Sequence, residues 1–274
     1  MSDEKKKVYS HSKLSSFEQC PFKYKCRYID KIKPDFEKSV ESLLGTCVHE
    51  TLEWVYDLAM KKLPVPTIDG VVDYYSAQWE KNFSKDIHVV SKTLSVNDYF
   101  NRGVQFLIGY YLKHTPFSDG TMNLEMEIKI DLDKTGKYNM IGYIDRLAFN
   151  EKTQEYEVHD YKTGSLPQDK NKFVDDRQLG LYSIAIRELF GTEKKVCLVW
   201  HYLAHDQKIC SYRTDEQLEI LKKKIIALID KIESTQEFPP NPSILCDWCE
   251  YKSNCPIFNA KSGQSKDKQK KLSF

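Results

Sequence analysis

The stretch from residue 145 to 162, DRLAFNEKTQEYEVHDYK, constrains this chain more than any other. Residues 138–150 (YNMIGYIDRLAFN) are rich in β-branched and aromatic side chains. NEKTQ then reads as a polar turn, and EYEVHDYK as a second strand. Successive strand side chains alternate faces, so Asp160 and Lys162 point the same way. Pairing the two strands as a hairpin brings Asp145 up beside them. Two carboxylates and a lysine at one sheet edge have a definite chemical use. The hard oxygens hold a divalent cation, and the lysine polarises a water or a phosphate oxygen.

The rest of the chain is long enough to build a scaffold for such a site. At 274 residues it is one large domain, or one domain with an insertion. No run of eighteen apolar residues occurs, so no membrane helix is expected. MSDEKKK has no apolar core of a secretory signal, which points to a cytoplasmic protein. The net charge of +1 does not announce a nucleic-acid binder, so any basic groove must come from local clustering.

Periodicity lays out the elements. Ser12 is an expected N-cap for a helix from Lys13, and Pro21 suits the start of a second. Residues 40–62 form a long helix with Leu44, Val48, Leu52, Val55 and Ala59 on one face. His49 lies one step off that stripe, and Glu53 one turn further on is a candidate supporting partner. Pro64 and Pro66 break the chain, and helices over 70–85 and 95–115 follow. Their many aromatics suit core packing more than base stacking. Residues 63–118 therefore read as a helical insertion covering a substrate groove. Residues 121–132 alternate apolar and polar side chains as a strand. Residues 173–190 read as a helix placing Gln178 and Tyr182 on one face. Residues 195–203 are a continuous apolar strand and should be central, with 207–213 as its neighbour. A final helix spans 215–237, and FPPNPS is a rigid connector.

Eight cysteines without an export signal argue against a disulfide framework. Cys47, Cys197 and Cys210 read as small buried hydrophobes, and Cys26 as packing. Cys246, Cys249 and Cys255 crowd one end as C-x2-C-x5-C. Four thiolates can bind zinc or a [4Fe–4S] cluster, and zinc sites usually draw on two local pairs.

Three motifs together resemble the RecB-like branch of the PD-(D/E)xK nuclease superfamily. They are G-x-x-D-R at 142–146, D-Y-K-T-G from Asp160, and Q-x-x-x-Y at Gln178 and Tyr182. Near the start, S-x-S-x-L-x-x-F-x-x-C-P-x-x-Y resembles the signature of members with an iron–sulfur cluster. The C-terminal triplet, with Pro256 behind it, is similar to that of AddB nuclease domains and CRISPR-associated adaptation exonucleases. The resemblance implies an α/β, restriction-endonuclease-like fold: a central mixed sheet flanked by helices, a helical insertion and a C-terminal iron–sulfur clasp. It assigns residues 8–260 to the nuclease domain, with 244–258 closing onto Cys20.

The same resemblance implies site roles. Asp145, Asp160 and the Tyr161 carbonyl hold Mg²⁺ or Mn²⁺, and His49 adds a nitrogen that suits Mn²⁺. Lys162 orients the attacking water or steadies the developing charge. Gln178 and Tyr182 orient the lysine or hold the nucleic-acid backbone. Cys20, Cys246, Cys249 and Cys255 ligate a structural [4Fe–4S] cluster. His159 faces away from Asp160 and takes no role.

The expected activity is a metal-dependent DNA exonuclease acting on single-stranded ends, 5′ to 3′ by resemblance, in replication, recombination or repair. A CRISPR adaptation nuclease that trims spacer precursors is the alternative within the enzyme class. A catalytically silent single-stranded DNA-binding protein is the alternative outside it. The chain carries no phosphate-binding G-x-x-x-x-G-K-[ST] loop, so a helicase partner must unwind any duplex. An integrase is the partner expected for spacer work. Residues 261–274 read as a disordered basic tail whose QKKLSF end resembles a sliding-clamp docking peptide.

Overall fold

Alternation and capping set the element boundaries. The structure, a computed structural model, describes residues 7–169, 173 and 175–259. The tail at 261–274, with its clamp-like peptide, lies outside the described residues, as does residue 174 within the helix expected from 173.

β1 (Val8–Ser10) runs into α1 (His11–Gln19), then α2 (Pro21–Tyr24) and a π-helical turn at Lys25–Ile29. The N-cap is Ser10 and not Ser12, because Ser10 Oγ accepts from the Lys13 amide. Next come α3 (Val40–Met60), α4 (Ile68–Asn82) and α5 (Val96–His114). Ser39 caps α3, and Ser95 with Asp98 closes a capping box on α5. The strands β2 (Thr121–Asp131), β3 (Asn139–Asn150) and β4 (Glu155–Lys162) follow. α6 (Arg177–Phe190) starts where the Asp176 carboxylate accepts from the Leu179 amide. β5 (Val196–Tyr202), β6 (Gln207–Ser211) and α7 (Asp215–Ser234) complete the frame.

The sheet is mixed, in the order β1-β3-β4-β5-β6, with β2 also on β3. β1 and β3 are parallel, as are β4 and β5, and the other pairings are antiparallel. Every residue of β5 is buried, as its unbroken apolar run predicts for a central strand. The architecture is thus α/β, a mixed central sheet flanked by helices. One core lies between the sheet and α1, α6 and α7, and includes Leu14, Ile144, Leu179, Trp200 and Ile229. The other joins α3, α4 and α5 to Tyr161. Tyr75, Trp79, Tyr99 and Tyr110 are buried there, so these aromatics pack and do not present stacking faces.

Two cysteine expectations change. Cys197 is buried, but Cys210 is exposed and disulfide-bonded to it. Register is the reason: Cys210 pairs with Val199, two residues from Cys197 and on the same face. Cys26 and Cys47 are buried and free, as expected of packing residues.

β3 is the strand that makes a site. One of its edges pairs with β2 throughout. Its other edge pairs with β1 at residues 139–141 and with β4 at residues 146–150. Among the described residues no strand covers residues 142–145 on that edge, so the sheet opens there.

Candidate active site

Asp145 and Asp160 are the first residues beyond the end of the β3–β4 ladder, whose last pair is Arg146 with His159. The face alternation also breaks here. Ile144 and Leu147, three residues apart, both enter the same core, although the β2–β3 register stays constant from Leu124–Arg146 to Met126–Ile144. The splayed strands free the Tyr161 backbone from β3. Its N–H donates to Asp145 Oδ2 at 2.9 Å, and its carbonyl meets His49 Nε2 at 2.8 Å. His49 Nδ1 lies 3.4 Å from the same Asp145 oxygen. The α3 histidine, the β3 carboxylate and the β4 carbonyl thus converge on one point, although His49 and Tyr161 are 112 residues apart.

Asp160 lies on the other side of Tyr161 and is 2% exposed. Its Oδ1 accepts from Lys162 Nζ at 2.9 Å. Its buried Oδ2 lies 2.7 Å from the same ammonium, so Lys162 pairs with both oxygens. Burial pushes the Asp160 pKa up to about 7, with Lys162 opposing and the Asp145 charge adding to the rise. Burial works against the charge of Lys162, but Asp160 and Asp145 outweigh it and hold the lysine protonated. The i, i+2 spacing of Asp160 and Lys162 therefore delivers the shared face expected of it.

α6 supplies the next layer. Gln178 Oε1 accepts from Lys162 Nζ at 3.4 Å, and Gln178 Nε2 donates to the Tyr182 hydroxyl at 3.0 Å. The two residues are one helical turn apart and bridge the lysine to the open edge of β3. Gly142 is required there: a Cβ would stand 2.7 Å from the Tyr182 ring.

One acidic residue was not anticipated. Glu125 on β2 lies opposite Asp145, between the pairs Leu124–Arg146 and Met126–Ile144. Its φ of +43° breaks the regular strand. Oxygen and nitrogen atoms of His49, Glu125 and Asp145 come within 4.8 Å of one another, the one such group among the described residues. Loss of water contact, then the charges of Asp145 and Glu53, push the Glu125 pKa up to about 7. Strict alternation had placed Glu125 among the solvent-facing polar residues. The usable signal was its position across the hairpin from a candidate metal-binding aspartate. Glu53 bears on Glu125 electrostatically, whereas the partners of His49 are Tyr161 and Asp145.

Arg146, the last residue of G-x-x-D-R, is fully buried and supports the site from behind. Its Nε donates to the Tyr161 hydroxyl at 2.9 Å, and Nη1 donates to Asp119 at 2.8 Å and Thr121 at 3.1 Å. The guanidinium lies 4.1 Å over the Tyr56 ring. His159 does face away from Asp160, with Nδ1 2.9 Å from His201 Nε2.

A divalent cation fits this donor set. It would take donor atoms from His49, Glu125 and Asp145, with the Tyr161 carbonyl and Asp160 as neighbouring oxygens. The gathering of His49, Glu125 and Asp145 within 4.8 Å is the observation that tests the fit: crowded carboxylates gain from a cation between them.

Cys20, Cys246, Cys249 and Cys255 are all free and line one cavity between the start of α2 and the C-terminal segment. The backbone amides of Asn241 and Ser243 point at the sulfurs of Cys20 and Cys246, each at 3.4 Å. Among the described residues, no three of these sulfurs gather within 4.8 Å. Tetrahedral zinc would draw them to about 3.8 Å apart, from its 2.3 Å Zn–S bonds. The segment is tied down widely. The Glu250 carbonyl accepts from the Asp35 amide at 2.7 Å, Lys23 pairs with Glu250 at 2.8 Å, and His88 Nε2 meets the Asp247 carbonyl at 3.0 Å.

A family model for the PD-(D/E)XK nuclease superfamily matches residues 8–256. The "Gene 69 protein" of Mycobacterium phage D29 is 23% identical, over 94% of this chain and 100% of its own length. The crystal structure of a "Putative exonuclease" from Eubacterium rectale superposes with a TM-score of 0.51 at 15% identity, covering 92% of each chain. That of SSO0001 gives a TM-score of 0.42 at 15% identity, over 94% of this chain and 89% of that one.

Proposed function

The chain belongs to the PD-(D/E)XK nuclease superfamily, and from that premise we propose that it is a metal-dependent deoxyribonuclease. In this reading it acts as an exonuclease on single-stranded ends, with 5′ to 3′ polarity, in DNA replication, recombination or repair. One observation carries the reading. The sheet opens at Asp145, so that its carboxylate, Glu125 and His49 gather within 4.8 Å of one another beside the Tyr161 carbonyl, with Asp160 and the protonated Lys162 adjoining.

A bound divalent cation supplies charge neutralisation at the phosphate and a more acidic water. The chain does the rest. Asp145 ties the Tyr161 amide and fixes the neighbouring carbonyl. Lys162 presents a cation where negative charge grows on the phosphate oxygens. Gln178 limits the swing of that lysine, and Tyr182 limits the swing of Gln178.

The clasp reading extends the proposal. Cys20, Cys246, Cys249 and Cys255 would hold a [4Fe–4S] cluster with a structural role. Their shared cavity and the C-x2-C-x5-C order of the C-terminal three support it. Such a cluster would tie the first helices to the C-terminal segment. Cleavage of end-labelled single-stranded DNA with Mg²⁺, Mn²⁺ or EDTA, beside Lys162→Ala, tests the enzyme. Metal-dependent digestion lost in the variant is the expected result. Undigested DNA under both metals refutes the activity. Iron and acid-labile sulfide in anaerobically purified protein test the cluster, and zinc in their place refutes it.

A further inference from the structure

The open edge of β3 continues, past Gln178, into a cleft of about 450 Å³ between β1, β3 and α6. That volume falls within the roughly 300–1,000 Å³ usual for small-molecule sites. Its two sides differ in chemistry. The floor is apolar, made by Ile128, Ile130, Met140 and Leu181. The rim is polar and carries Ser10, His11 and Ser12, where β1 turns into α1. Ser10 and Ser12 hydroxyls lie 2.9 Å apart.

The cleft has little positive charge to offer a phosphate. Burial, and then Arg177, push the His11 pKa down to about 4, so the ring is neutral. Arg177 is itself engaged, donating to Ser15 and Glu18 at 2.8 Å each. The cation at hand is Lys162, at the far end, where Gln178 lines the cleft and also contacts the lysine. An occupant therefore needs a flat apolar body, hydrogen-bonding edges and one anionic end directed toward Lys162. A nucleoside with its phosphate meets all three requirements. Apolar contact to the base face tolerates any base, whereas the rim reaches the polar edges of base and sugar.

We propose that this cleft seats the nucleoside adjoining the scissile phosphate, with its base on Ile128, Met140 and Leu181 and its polar edge toward Ser10, His11 and Ser12. The inference rests on the nuclease reading and deepens it. Seating one nucleoside beside the cut favours an unpaired strand, because a paired base must first be pulled from its stack at a cost of about a few kcal/mol. It also sets a fixed step for cleavage.

Abasic scanning tests it. Single-stranded oligonucleotides with one abasic site, moved position by position, are digested by the full chain with Mn²⁺. The expected result is a slowing on the order of tenfold at the one bond whose neighbouring nucleoside has lost its base. Other abasic positions pass at the normal rate. Ser12→Trp, which fills the rim without touching the proposed metal donors, should slow digestion of intact strands and erase the positional effect. Uniform cutting past every abasic position, with intact strands still digested, overturns the cleft assignment and leaves the nuclease reading standing. A Ser12→Trp protein that keeps both the rate and the positional slowing also overturns it. Intact strands left undigested by the wild type overturn the nuclease reading, and this inference with it.

Discussion

Asp160 carries a carboxyl that the fold buries to 2% exposure, with Lys162 Nζ at 2.9 Å and 2.7 Å from its two oxygens. Without a cation, burial pushes its pKa from 3.8 up to about 7. Between those two values the folded chain binds a proton that the unfolded chain has released. Metal-free stability from this group is therefore fully present below about pH 4 and is lost as pH rises through 7. By pH 8 the loss amounts to about 4 kcal/mol, of which about 3 kcal/mol accrues above pH 5. Asp160→Asn keeps the shape and removes the titration. The pairing with Lys162 is already contained in that pKa, and the amide keeps only a weaker neutral bond to it. The balance predicts that in EDTA the asparagine variant is more stable than the parent by about 1–3 kcal/mol at pH 8. At pH 5 that advantage shrinks or reverses. Urea unfolding followed by circular dichroism at the two pH values measures it. Mn²⁺ should then stabilise the parent and leave the variant nearly unchanged. A variant less stable than the parent at pH 8 in EDTA would refute the reasoning, as would an identical difference at both pH values.

Three further outcomes follow from the same geometry. Arg146→Met should lower stability by about 3 kcal/mol in urea, since it removes three buried hydrogen bonds, one of them to a carboxylate; a change under 1 kcal/mol would count against a supporting role. Gly142→Ala should cost about 1–3 kcal/mol and reduce cleavage, because the new methyl displaces the Tyr182 ring that holds Gln178; unaltered kcat would separate Tyr182 from the lysine. Burial keeps His159 and His201 neutral, well below their usual pKa, so their stabilising share is present above pH 6.5 and lost as pH falls further. His201→Gln should flatten the decline in melting temperature between pH 6.5 and pH 5, and an unchanged slope would place the acid sensitivity elsewhere.

Much of the scaffold was legible because strand and helix geometry relates near neighbours in a fixed way. Alternation placed β2, β3 and β4 and put Asp160 and Lys162 on one face. The four-residue spacing placed Gln178 over Tyr182. Apolar continuity marked β5 as central. Where a local rule had competitors, it was less secure. Ser10 rather than Ser12 captured the first free amide of α1, and Asp176 set the start of α6.

The chain's own order of residues, then, determined which groups of a metal-dependent hydrolase are present and how near neighbours along each element are disposed. Tertiary structure decided where they meet. β1 and β4 share one edge of β3 and leave a gap, and nothing local to either strand requires that. The left-handed twist at Glu125, which turns a solvent-side acid toward Asp145, arises where the alternation of β3 breaks. The union of Cys197 with Cys210 depends on the register of β5 against β6. The approach of His49 to Tyr161, and of Cys20 to the C-terminal cysteines, depends on two cores packed on opposite faces of the sheet. The physical reason is the same in each case. Backbone geometry fixes relations over two to four residues, whereas contacts across a hundred residues are set by the summed burial of whole faces.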